Sequence, residues 1–96
     1  MVALEPIPDS YQKLLRNVRV NVMEDRVACH NLGVGSAEAV LQFTADLDTV
    51  NHVVTPEEAQ RVTTTDVPVR RLDDLLSERE NGPAPRLIKI DVEGWE

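Results

Sequence analysis

Residues 2–18 read VALEPIPDSYQKLLRNV, and this stretch decides the fold class. Val2, Ala3 and Leu4 make a short apolar run suited to a strand, and Glu5-Pro6-Ile7-Pro8 ends it, because proline brings no ladder donor. Pro8 suits the first turn of a helix, where Asp9 sets a negative charge at the positive end of the dipole. Tyr11, Leu14, Leu15, Val18 and Val22 recur at helical spacing, with Gln12, Lys13, Arg16, Asn17 and Arg19 between them. The spacing predicts an amphipathic helix of about four turns. A strand that turns at an acidic, proline-rich corner into a helix is the opening of an α/β unit.

Working outward, residues 27–32 (VACHNL) form an apolar run with little alternation, as expected of a strand covered on both faces. Gly33-Val34-Gly35-Ser36 is expected to close it, with glycines free to take positive φ. Ala39, Leu41 and Phe43 alternate with Val40, Gln42 and Thr44, the pattern of a half-buried strand. Residues 45–54 show no period and read as a loop; Thr55-Pro56-Glu57-Glu58 then spells a capping box that opens a short helix. Residues 63–71 are β-branched and read as a strand, in which Pro68 implies an edge position or a bulge. A short helix follows from Leu72, with its stop expected at Asn81-Gly82-Pro83. Residues 86–91 (RLIKID) read as a last strand ending on Asp91. Open α/β sheets hold ligands outside the carboxyl ends of their strands, and two such ends here carry carboxylates, Glu5 and Asp91.

Ninety-six residues set a ceiling of one domain, and 42% apolar with 28% charged residues places the chain among globular proteins. The net charge of −7 argues against nucleic acid or an anionic membrane as partner, since both need a basic footprint. Tyr11, Phe43 and Trp95 are too few for base stacking, and no run approaches the ~20 apolar residues of a membrane span. Glu5 follows the first apolar residues at once, so no signal peptide is expected. Cys29 is the single cysteine, which excludes an internal disulfide and fits a reducing, cytoplasmic location. His30 and His52 lack metal-ligand spacing, and Trp95 is expected to anchor a following helix in the core.

In order and spacing, VALEPIPDSYQKLLRNV, a strand ending NLGVG, then VPVRRLDDLL and finally LIKIDVEG resemble the FkbM-type S-adenosylmethionine-dependent methyltransferases, apart from the stretch around residues 45–61. The resemblance implies a Rossmann-like methyltransferase fold with a parallel-rich sheet and an antiparallel excursion, S-adenosylmethionine as cofactor, and a small-molecule hydroxyl on a sugar or secondary metabolite as acceptor. It implies that Glu5 accepts hydrogen bonds from the ribose hydroxyls, where the two oxygens of a carboxylate match a vicinal diol. Asn31 and Leu32 are brought near the adenine, and Asp91, assisted by Glu93, faces the sulfonium and the acceptor. Such domains begin with a strand and a glycine-rich loop that no segment here supplies. On the resemblance the chain is an internal fragment, 1–96, expected to bind cofactor weakly and to have little activity alone. It further implies that the strands ending at Glu5 and Asp91 either pair directly or present open edges.

Two other readings stand beside it. Asp91-Val92-Glu93 has the spelling of a DxE metal pair in a nuclease, although further acidic ligands would have to follow. A small acidic α/β interaction module is the non-enzymatic alternative, against which the two strand-end carboxylates speak.

Overall fold

The computed structural model describes residues 1–44, 53–55, 64–79 and 82–91. Strand β1 (Val2–Leu4) leads into helix α1 (Pro8–Val20), and β2 (Ala28–His30) returns parallel to β1, with Val2 opposite Ala28 and Leu4 opposite His30. A second sheet contains β3 (Gly33–Val34), β5 (Thr64–Arg70) and β4 (Ala39–Thr44) in that spatial order. In it β3 runs parallel to β5 and β4 antiparallel. Helix α2 (Leu72–Ser77) follows β5. The architecture is α/β, as the periodicities predict; among the described residues its strands form two small sheets rather than one, with β1–β2 and β3–β5 paired in parallel and β4 as the antiparallel excursion.

Local chemistry accounts for most of these elements. Tyr11, Leu14, Leu15 and Val18 are half-buried while Gln12, Lys13, Arg16, Asn17 and Arg19 are exposed, which is the amphipathic stripe of α1. The helix stops before Val22. The Met23 N–H donates to the Val18 carbonyl and the Val22 N–H to the Arg19 carbonyl, a Schellman ending with Val22 in the left-handed region at φ 53°. Val22 is therefore 81% exposed and no part of the apolar stripe that its spacing implied. In β5, Val67 and Val69 point into the core at 1% exposure each while Asp66 and Pro68 face outward. The Gly35 N–H donates to the Arg70 carbonyl, so by alternation Pro68 turns its ring nitrogen to the same side, upstream of the start of β3. Although β5 is central, Pro68 occupies a place with no ladder partner to lose.

Gly33 and Gly35 serve close approach, not positive φ. A Cβ on Gly33 would lie 3.2 Å from Val69 Cγ2 and 3.3 Å from Phe43 Cζ, and one on Gly35 only 2.8 Å from Val69 Cγ1. The core joins the two sheets: Ile7, from the corner after β1, packs with Phe43, Val67 and Val69, and Leu41 and Val53 cover them.

The expected strand over residues 86–91 does not form. Residues 82–91 carry no regular structure, and Leu87, Ile88 and Ile90 are 89%, 55% and 63% exposed. A strand needs a neighbour for its ladder, and β1, whose only strand partner among the described residues is β2, leaves its other edge open. Neither arrangement the resemblance implied is present in full: β1 keeps an open edge among the described residues, and no strand forms ahead of Asp91 to pair with it. Helix α2 gives way at Glu78, ahead of the expected stop. The helix expected from Thr55-Pro56 lies, beyond Thr55, outside the described residues.

Candidate functional site

The parallel register puts the carboxyl ends of β1 and β2 side by side. The Glu5 N–H extends the ladder by one bond, donating to the His30 carbonyl at 3.1 Å, so Glu5 and Asn31 leave their strands next to each other. Pro6 fixes its own φ and confines Glu5 to an extended backbone. The Glu5 side chain folds back so that Oε1 accepts the Ile7 N–H at 2.9 Å. From the neighbouring strand, Asn31 Nδ2 donates to the Glu5 carbonyl at 2.8 Å and to the Pro6 carbonyl at 3.0 Å. Ile7 closes the corner by burying its side chain, 5% exposed, in the core.

Two of the residues singled out from sequence, Glu5 and Asn31, thus meet at one end of the sheet, with Leu32 next to Asn31 in the chain. Glu5 is half-buried with one carboxylate oxygen engaged, Asn31 is exposed, and Leu32 is buried at 9% exposure. Asp91 is exposed on the irregular segment, and no described hydrogen bond or ion pair links it to them. Glu93 lies outside the described residues. Among the described residues, no three of His, Cys, Asp and Glu gather in a way that could hold a metal ion. Nor is any described helix long and apolar enough to cross a membrane.

Two features were not legible beforehand. A shallow open hollow of about 200 Å³ lies between α1 and β2, lined by Leu15, Val18, Arg19, Glu24, Val27 and Cys29, away from Glu5 and Asp91. Arg70, at the end of β5, forks onto Glu78, with Nη1 donating to Oε2 at 3.0 Å and Nη2 to Oε1. The hydrogen bond from Arg70, then the charges of Arg70 and His30, hold the Glu78 carboxyl below its ordinary range. Eight residues and a strand-to-helix corner separate this pair, so no sequence period announces it.

The profile of the FkbM methyltransferase domain matches residues 1–96. The chain belongs to that family: it is a methyltransferase FkbM domain. No curated protein and no solved structure gives a match.

The placement of Glu5 bears on the family's cofactor. Its carboxylate stands at the carboxyl end of a parallel strand with Oε2 unengaged by any described hydrogen bond, and Oε1 retains a second lone pair beyond the one taken by Ile7. A carboxylate so placed has the two acceptor oxygens that a vicinal diol, such as the ribose of S-adenosylmethionine, would need.

Proposed function

We propose that this domain catalyses methyl transfer from S-adenosylmethionine to the oxygen of a hydroxyl on a small molecule, a sugar or secondary metabolite, in the cytoplasm. The observation that carries the reading is the Glu5 carboxylate, held by Ile7 and flanked by Asn31 at the shared carboxyl end of β1 and β2. When bound, the cofactor supplies a methyl group on a sulfonium, open to direct displacement. Glu5 accepts hydrogen bonds from the ribose hydroxyls, and Leu32 forms the wall beside the base. Asp91 orients the acceptor hydroxyl and takes up its proton at a carboxylate oxygen, with Glu93 beside it. The single free cysteine, Cys29, accords with a reducing compartment. The net charge of −7 favours an uncharged or cationic acceptor over nucleic acid.

Calorimetric titration with S-adenosylhomocysteine, with Trp95 fluorescence as a second signal, tests the cofactor half. Binding is expected to weaken by roughly tenfold or more in Glu5→Gln, since charge-assisted bonds to the diol are replaced by neutral ones. Transfer of labelled methyl to a panel of hydroxylated acceptors tests the other half, with Asp91→Asn expected to lower transfer and leave binding intact. Equal affinity of the wild-type chain and Glu5→Gln would overturn the assignment of Glu5. Labelled product confined to nitrogen or carbon acceptors would overturn oxygen as the nucleophile.

A further inference from the structure

We infer that Asn31 is a positioning residue that fixes the aim of the Glu5 carboxylate from the neighbouring strand, and this role rests on the cofactor reading above. The resemblance placed Asn31 beside the base as a contact. The geometry gives its amide nitrogen a different role, since both Nδ2 hydrogens are spent, one on the Glu5 carbonyl at 2.8 Å and one on the Pro6 carbonyl at 3.0 Å. These carbonyls belong to the two peptide planes either side of the Pro6 Cα. Holding both fixes the rotation of the corner from which the Glu5 side chain leaves.

The corner has three further restraints: the ladder bond of the Glu5 N–H to His30, the fixed φ of Pro6, and the anchorage of Ile7 in the core. Together they narrow Glu5 ψ and Pro6 φ but leave Pro6 ψ, and with it the peptide plane between Pro6 and Ile7, to be set by Asn31. The bond from the Ile7 N–H to Glu5 Oε1 forms only if that plane is correctly turned. Asn31 thus acts on the carboxylate through the backbone, 26 residues away in sequence. A carboxylate aimed before its ligand arrives loses less freedom on binding, which is the physical use of such a clamp.

The test uses the full chain and two readouts. Hydrogen exchange at the Ile7 amide, followed by NMR, is expected to accelerate about tenfold in Asn31→Ala, with the Val67 and Val69 amides unchanged. Asn31→Asp keeps the shape of the side chain but has no N–H donor; it is expected to behave as Asn31→Ala does, and it replaces that variant if alanine prevents folding. Unchanged Ile7 exchange in either variant overturns the clamp. Titration with S-adenosylhomocysteine then asks whether Asn31 acts through Glu5. Asn31→Ala is expected to weaken binding about tenfold in the wild-type background and under about threefold in Glu5→Gln. The same loss in both backgrounds overturns the positioning role. Absence of binding by the wild-type chain would sink the cofactor reading alone, and the exchange measurement would still decide the clamp.

Discussion

Two apolar runs that end in a carboxylate have opposite fates here. The run before Glu5 becomes a strand, paired to β2 and followed by a corner in which main chain and side chain are both held. The run before Asp91, with the more strand-prone composition of the two, stays irregular and exposed. The difference teaches that β propensity describes fitness for a half-buried pleated surface and does not create one. Val2–Leu4 has β2 beside it and α1 on the connection between them. Residues 86–91 have no described strand beside them, and Leu87, Ile88 and Ile90 gain nothing by ordering.

The sharpest way to break this contrast is to truncate one apolar side chain in each region. Ile7→Ala should cost roughly 2–5 kcal/mol, because it empties the joint between the two sheets. Leu87→Ala should stay within about 0.5 kcal/mol, because that side chain already faces water. Urea melts of the two variants check both, and equal losses would refute the contrast. Next in size is Gly35→Ala. Its Cβ would meet Val69 Cγ1 at 2.8 Å, and the stiff χ1 of a buried valine leaves little room to yield, so a loss of about 1–3 kcal/mol is expected in the same melts.

A fourth change strengthens the ordered region instead. Val22→Gly relieves a β-branched residue at φ 53° and should raise stability by about 1 kcal/mol. Thermal melting reads the gain, while amide exchange over residues 82–91 should stay as fast as before. The smallest effect concerns Glu78. Its folded value lies below the ordinary one, so the contribution of its pair with Arg70 is full above the ordinary carboxylate range. It is lost as pH falls through the depressed folded value. The pair is exposed, so Glu78→Gln should lower stability slightly at neutral pH and flatten the acid side of the pH–stability curve, and added salt should shrink the difference. A variant as stable as wild type at neutral pH but less stable in acid would reverse the sign.

Much of this molecule was open to a reading of local pattern. The stripe from Tyr11 to Val18 marks α1, the alternation of Leu41 and Phe43 marks β4, and Val67 with Val69 marks the inner face of β5. The order of motifs from the EP corner to KIDVEG pointed to the family. These signals are visible because they repeat with the period of a helix or a strand, or fall in a fixed order along the chain.

Other features depend on what lies beside a residue in space. Val22 keeps the helical spacing yet falls outside the helix, since the Schellman bonds to Val18 and Arg19 close α1 first. Gly33 and Gly35 looked like turn glycines and are close-approach glycines, because Val69 and Phe43 arrive from distant segments. Asn31, which the resemblance brought near the adenine, is bonded to the corner after another strand.

What the sequence alone determined, then, is which segments can become helix or strand, where the acidic corner falls, and the family to which the chain belongs. Only the tertiary structure decided which of those segments found a partner and which atoms hold Glu5. Ladders and clamps join residues far apart in the chain, and no local period records such bonds.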